Sequence, residues 1–379
     1  MINPAFWHPT RPVSSHQIET HTGAAALPAD ARALLDQHAR QTLQFSAAWF
    51  ANLEATVFPG HPGVCHFVLR TEGKVAAVLP LLVTPGRLSH RAQALGNYYT
   101  CLYEPALADD VDATQLGLLF KAVRRYKGGI STLTLAPMSL EGRAFTLVEQ
   151  ALAAAGFKTE RYFCFGNWHL QAPPTWAAYL AGREGKLRST IKRMAQKLAA
   201  EQAQIEILTE PADLERGIAA YHAVYAKSWK VPEPSADFMP GLMRLCGAAG
   251  ALRLGLVWLH GQPIAAQLWM VHGGRAEVYK LAYDEAFKGY SPGTVLTARL
   301  MQHVMEHDKV TEVDYLLGDD AYKTSWMSHR RERWGLVAYN QRSLTGMVLW
   351  HGAQLKRLVK PWVLRLRAAV SRSTADRSA

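Results

Sequence analysis

The stretch Lys288-Gly289-Tyr290-Ser291-Pro292-Gly293 stands between an aromatic-rich segment ending at Tyr283 and an apolar run, Val295 to Val304, spaced as a helix. Backbone N–H groups that open a helix have no partner inside it, and the helix dipole concentrates partial positive charge there. Such a start is a place for a phosphate or pyrophosphate. Ser291 suits the N-cap, Pro292 the first helical position, and Gly293 lets a ligand approach the backbone closely. Gly289 to Gly293 also spells G-x-S-x-G, the nucleophile elbow of serine hydrolases. That chemistry needs the N–H of the residue after the serine, and Pro292 has none. An elbow also turns directly off its strand, whereas residues 284–290 intervene here. Phosphate binding is the chemistry this stretch supports.

A second motif is a decoy. His303-Val304-Met305-Glu306-His307 matches H-x-x-E-H, but it falls at the end of the same helix, where histidine and solvated glutamate are common. No metal site is expected. Lys186 to Lys197 carries five basic residues and no acid, opposite an apolar face of Leu187, Ile191, Met194 and Leu198. This is either a solvated helix face or an attractor for a polyanion: a nucleotide cofactor, anionic lipid or RNA. Near the C-terminus Leu355, Leu358, Val359, Trp362, Val363 and Leu366 recur at helical spacing opposite Lys356, Arg357, Lys360, Arg365 and Arg367. Such a helix docks on its own domain or lies on an anionic membrane.

The chain has 379 residues, 49% of them hydrophobic and 19% charged, with a net charge of +11. That is a globular composition long enough for two or three domains. No run of about 18 apolar residues predicts a membrane span, and the first thirty residues lack a secretory pattern, so a cytoplasmic location is expected. Cys65, Cys101, Cys164 and Cys246 are widely spaced and read as thiols in a reducing compartment.

The elements that must hold the loop read as two α/β halves. In the first, strands over 66–70 and 75–83 flank a turn at 71–74. A helix over 112–126, a strand over 131–136, a helix over 141–155 and an aromatic strand over 161–170 follow. In the second, helical segments over 175–201 precede a strand over 204–208 and helices over 212–228 and 236–246. A three-stranded meander over 252–259, 263–271 and 276–283 comes next. The helix after Ser291, a strand over 312–317, a helical segment over 320–326 and a strand over 334–340 complete it. The order hairpin, helix, strand, helix, strand recurs, which indicates a duplicated unit. In the first copy Gly96-Asn97-Tyr98-Tyr99-Thr100 stands where the phosphate loop belongs but lacks a following glycine, so the second copy is expected to bind.

Four blocks of the second half carry a resemblance: Trp229-Lys230-Val231-Pro232-Glu233-Pro234, Lys280-Leu281-Ala282-Tyr283-Asp284, Tyr290-Ser291-Pro292-Gly293, and Gly318-Asp319-Asp320-Ala321-Tyr322-Lys323-Thr324-Ser325-Trp326. With this layout they resemble the GNAT acyltransferase superfamily. The branch is the Fem-type, two-module one that includes acetyltransferases associated with cellulose and exopolysaccharide loci. That superfamily's pyrophosphate loop is Q/R-x-x-G-x-G/A. Here Lys288 takes the basic position, Ser291 replaces the first glycine and Gly293 matches the last. The resemblance implies an α/β fold with mixed sheet. Two tandem GNAT-like modules are expected: a degenerate one over 1–172 and a catalytic one over 173–345 carrying the acyl-CoA loop, with a basic amphipathic tail over 346–379.

It also implies acyl transfer from a CoA thioester to an amine, with acyl-CoA as co-substrate and no permanently bound cofactor. The residues implied to hold CoA are Tyr283, Lys288, Gly289, Tyr290, Ser291, Gly293 and Thr294. The strand end at Leu281 to Tyr283 supplies the donor that polarises the thioester. Tyr322 is the candidate acid, or else a packed aromatic with a satisfied hydroxyl. Asp284 and Asp319 are candidate bases or amine-binding anions, with turn capping as the alternative, above all for neighbouring Asp320. Lys280 and Lys323 pair with these acids or with cofactor phosphate, and Trp229, Lys230, Glu233 and Lys323 face the acceptor. The acceptor implied is an envelope precursor, an amino sugar or an amino lipid such as a sphingoid base. The competing readings are a Fem-type transferase taking an aminoacyl group from tRNA, with the basic helix on RNA phosphates, and a non-catalytic scaffold in polysaccharide synthesis.

Overall fold

The computed structural model describes residues 15–358. Strand β1 (His16–His21) and helices α1 (Ala29–His38) and α2 (Ala47–Thr56) lead into β2 (Val64–Thr71), β3 (Lys74–Pro85), β4 (His90–Ala94) and β5 (Ala106–Leu107). Helix α3 (Ala113–Arg125), β6 (Ile130–Ser139), α4 (Ala144–Ala154) and β7 (Phe157–Gln171) follow. Helices α5 (Trp176–Ala181) and α6 (Gly185–Ala200), β8 (Gln204–Leu208), and helices α7 (Leu214–Ala226) and α8 (Phe238–Ala248) come next. They precede the meander β9 (Leu252–Leu259), β10 (Gln262–His272) and β11 (Arg275–Tyr283). The rest is α9 (Pro292–Glu306), β12 (Glu312–Asp314), α10 (Lys323–Trp326), β13 (His329–Asn340) and a helix over 344–358. The three tight hairpins turn at Glu72-Gly73, His260-Gly261 and Gly273-Gly274, each with both residues at positive φ. That backbone twist matches the twist of the flanking strands.

All strands join one mixed sheet in the order β1-β2-β3-β4-β6-β13-β7-β12-β11-β10-β9-β8, with β5 on β3. The pairs are antiparallel except β4–β6 and β11–β12. These two parallel pairs are the same step of the duplicated unit: a meander, a crossover helix (α3 or α9) and a parallel return strand. The last strand of each copy is exchanged. Strand β7 pairs with β12, and β13 pairs with β6 as well as with β7. The spans 1–172 and 173–345 therefore share one continuous sheet rather than owning separate ones.

Both sheet faces are covered, which is why β2 and β10 read as near-continuous apolar runs. On one face α3 and α4 close a core with Phe120, Phe145 and Leu133, and α6 and α9 close another with Leu198, Leu296 and Trp269. On the other face α1, α2, α7 and α8 build a core that spans both modules, with Trp49, Phe238, Tyr99 and Tyr279 at its centre. Strands β1 and β4 and helices α1 and α2 are absent from the reading of periodicity. The sequence of α2, AAWFANLEAT, buries Trp49, Phe50 and Leu53 but exposes alanines at 48, 51 and 55, so its outer face carries little polar signal and its period is blurred. In the helix over 344–358, Leu344, Val348, Leu355 and Leu358 are exposed along one face, while Trp350 packs on Tyr339. The other apolar residues of the basic tail, Val359, Trp362, Val363 and Leu366, lie outside the described residues. Among the described residues no helix is long and apolar enough to cross a membrane.

Candidate active site

Strands β11 and β12 run parallel for three residue pairs, from Arg275–Glu312 to Glu277–Asp314, and then part. Strand β11 continues to Tyr283 against β10, while the chain after Asp314 turns away through Leu316, whose φ is 52°. The V between them exposes one edge of β11. Cavities of about 490 Å³ and about 140 Å³ lie here. They share Leu281, Tyr315 and Tyr322, so they meet at these side chains.

The larger cavity lies between α6 and the start of α9. Gly293, Thr294 and Thr297 of α9 face it, with Tyr283 and Trp229 opposite and Leu187 and Thr190 of α6 above. Pro292 is the first residue of α9, and Ser291 precedes it in the left-handed region at φ 45°. The Ser291 hydroxyl makes no capping bond, contrary to the expected N-cap role, because the left-handed backbone turns it away from the first turn. The Ser291 carbonyl instead accepts from Thr294 and Val295 at 3.0 and 3.2 Å. Pro292 has no donor, so Gly293 presents the first N–H of the helix, and among the described residues no protein group accepts it. A side chain at 293 would begin 3.2 Å from the Tyr283 ring. Gln267 fixes this turn: its amide donates to the Gly293 carbonyl and to Thr297, each at 2.9 Å, while its oxygen accepts from Trp269 at 2.9 Å.

Residues Lys288, Gly289 and Tyr290 form a short 3-10 turn, Glu285–Tyr290, beside this helix start, with Lys288 and Gly289 exposed. Lys197, the last cation of the basic run, reaches it from α6. Its ammonium donates to the Gly289 carbonyl at 3.0 Å and lies 4.4 Å from the centre of the Tyr290 ring. The other basic residues of α6 are exposed, and Met194 and Leu198 are buried as the spacing predicts.

The smaller cavity is polar and crosses the module boundary. Tyr98 and Tyr99 come from the first module, and Lys230, Lys280, Asp320 and Lys323 from the second. The Lys280 ammonium is 3.0 Å from the Glu233 carboxylate, donates to the Tyr98 hydroxyl at 3.2 Å, and stands 4.4 Å over the Tyr98 ring. Lys323 is buried and donates to the carbonyls of Leu317 and Gly318, with Asp320 at 3.2 Å. Tyr322 stands between the cavities, edge-on to the buried Tyr315 at 6.0 Å. Desolvation, and then the negative charge of Asp320, push its phenol well above the ordinary tyrosine range. The hydroxyl therefore keeps its proton and is available as a donor.

Several expected roles meet different geometry. Asp319 is tied to Arg330 at 2.7 Å and to the Trp168 indole at 2.7 Å, lines neither cavity, and is held in its charged form chiefly by Arg330. Asp284 is buried and accepts from the Ala286 N–H at 3.0 Å, with Lys227 at 3.6 Å, so it caps the turn. Asp320, the acid read first as a cap, is the carboxylate that lines the smaller cavity. Trp229 faces the larger cavity rather than the acceptor side, and Glu233 turns inward to hold Lys280. The loop Gly96–Thr100 binds no helix start of its own; its tyrosines instead wall the second copy's cavity. Gln267 and Tyr315 are absent from the sequence reading, and Tyr98 and Tyr99 enter it only within the first copy's loop, which is not expected to bind. Gln267 left one signal there, a lone amide inside an apolar strand.

Residues 185–324 match the family model described as acetyltransferase (GNAT) domain. No curated protein matches the chain. Among solved structures, FemX superposes with a TM-score of 0.58 at 14% identity, over 90% of this chain and 99% of its own. L-PGS from Bacillus licheniformis superposes with a TM-score of 0.53 at 13% identity, over 89% of this chain and 99% of its own. Residues 185–324 thus match a GNAT acetyltransferase domain, within a chain whose two-module fold is similar to that of FemX.

Proposed function

We propose that the chain is an acyl-CoA-dependent N-acyltransferase acting on the amine of an envelope precursor, an amino sugar or an amino lipid. The observation that carries this reading is the pair of cavities meeting at Tyr322 where β11 leaves β12, the larger one opening on the start of α9. The Gly293 N–H and the α9 dipole meet the pyrophosphate, with Lys288 beside them. The free edge of β11 at Leu281 to Tyr283 polarises the thioester carbonyl; the amine forms the amide as the C–S bond breaks, and the proton the amine loses replaces the one that Tyr322 passes to the departing thiolate. The exposed stripe Leu344, Val348, Leu355 and Leu358, flanked by Lys356 and Arg357, supports contact with an anionic membrane surface.

Calorimetric titration with CoA and with acyl-CoAs from acetyl to palmitoyl tests the donor. Saturable binding that Gly293→Trp removes from a folded protein supports it, and unchanged binding by that variant refutes the loop assignment. Affinity rising with chain length favours an amino lipid, and affinity independent of it favours an amino sugar. The exposed basic face of α6 beside the larger cavity favours aminoacyl-tRNA as the second reading. Absent acyl-CoA binding together with RNA binding that weakens steeply with salt would establish that alternative.

A further inference from the structure

The charges around the smaller cavity do not balance. Lys230, Lys280 and Lys323 line it, and Asp320 is the carboxylate among its lining residues. Lys280 is neutralised by Glu233, whose side chain is 7% exposed, and Lys323 is engaged by backbone carbonyls and by Asp320. Lys230 has no such partner. It is half-buried, and among the described residues no carboxylate ion-pairs with its ammonium. It lies 5.6 Å from the centre of the Trp229 ring, and Glu233 and Asp320 attract it without pairing with it. Burial, and next the charge of Lys280, push the Lys230 ammonium below the ordinary lysine range. An amine with no other charge would bring one more cation into a pocket that already holds an uncompensated one.

We propose that the acceptor carries a carboxylate or phosphate close to its nucleophilic amine, and that Lys230 binds this anion in the smaller cavity. The proposal rests on the N-acyltransferase reading above and narrows its acceptor to an anionic amine. The anion pairs with Lys230, while the ammonium has Asp320 as its opposite charge and Tyr322 between it and the larger cavity. A space of about 140 Å³ suits a small charged head rather than a whole precursor. The body of the acceptor leaves past Tyr98, which is 57% exposed at the rim. The first module thus shapes which acceptor enters.

Matched amines differing only in the anion test this: ethanolamine against phosphoethanolamine, glycinamide against glycine, glucosamine against glucosamine 6-phosphate. Acylation by acyl-CoA is followed for the wild type, Lys230→Met and Lys230→Arg. The anionic member is expected to have a kcat/KM about tenfold or more higher, carried by KM, and the preference is expected to vanish in Lys230→Met and persist in Lys230→Arg. Lysophosphatidylethanolamine in the same series separates a lipid head group from the free phosphate. A wild-type preference for the neutral member, or a preference that survives Lys230→Met, overturns the proposal. Calorimetry of phosphoethanolamine, glycine and glucosamine 6-phosphate needs no turnover, and binding by none of them, or binding indifferent to Lys230→Met, overturns it as well. Acyl-CoA binding that persists alongside such a result leaves the donor reading standing, whereas loss of acyl-CoA binding sinks that reading instead.

Discussion

The apex of the V holds two buried acids, and replacing one should stabilise the protein in a pH-dependent way. Glu277 and Asp314 are the last opposed pair of β11 and β12, 3% and 1% exposed. Asp314 is well provided for: Arg331 pairs with it, Arg333 lies at 3.9 Å, and Asn167 and the Leu316 N–H donate to it at 2.6 Å. Glu277 is not. Burial first, and Asp314 next, raise its carboxyl from 4.5 to about 7, against smaller opposing contributions from Thr42, Arg275 and Gln44. Because the folded-state value lies above the unfolded one, the folded protein binds the extra proton between these limits. Stability therefore falls as pH rises from about 4.5 to about 7 and levels off above. The difference, 7 − 4.5 = 2.5 units, corresponds to about 3 kcal/mol at 1.36 kcal/mol per unit. Glu277→Gln removes the charge and keeps the shape. It should gain about 2–3 kcal/mol over the wild type at pH 8 and almost nothing at pH 4.5. Asp314, whose carboxyl is held low chiefly by Arg331 against its burial, contributes stability that acid removes from both proteins, so the comparison isolates Glu277. Urea unfolding of both proteins from pH 4.5 to 8 reads the gap directly. A gap that does not widen with pH, or a variant less stable at pH 8, refutes the reasoning.

Three further outcomes follow from the site. Tyr322→Phe should lower kcat about a hundredfold while leaving the acyl-CoA dissociation constant unchanged, as steady-state kinetics and calorimetry together would show; an unaffected kcat removes the acid role. Gln267→Leu leaves the Trp269 indole N–H without its acceptor and unties the first turn of α9. A loss of about 1–3 kcal/mol in thermal or chemical unfolding is expected, together with weaker acyl-CoA binding. Arg331→Met strips Asp314 and Glu312 of their shared cation at the junction of the exchanged strands, and should cost about 3–5 kcal/mol by urea unfolding.

Local chemistry made some of this legible. The three hairpins announce themselves through the glycine at the second central position of each, Gly73, Gly261 and Gly274, and the start of α9 does so through Pro292 and Gly293. Alternation located β8 and β9 to the residue, since each is bounded by turn chemistry. Contacts between distant parts of the chain left no such trace. Tyr279 donates to the Tyr99 carbonyl at 2.8 Å across 180 positions, and Lys280 reaches Tyr98 across 182. Neither tyrosine differs in sequence from an ordinary core aromatic. Asp319 misled for the related reason that an acid beside a candidate tyrosine looks catalytic until Arg330, eleven residues on, is seen to hold it.

The exchange of β7 and β13 explains why motif blocks of the second half describe only part of the site. Were each module a closed unit, the residues around β11 and β12 would suffice to line both cavities. Because β7 lies against β12 and β13 against β6, the modules are joined edge to edge. The crossover loop of the first copy is thereby brought over the mouth of the second. The block that begins Trp229-Lys230 then divides: Trp229 faces the larger cavity, and Lys230 faces the smaller one, whose wall the other copy helps to supply. The first copy thus contributes to the wall of a cavity in the second. That loop lines no part of the larger cavity: Tyr99 is tied into the shared core, and Tyr98 stands exposed at the rim of the smaller cavity.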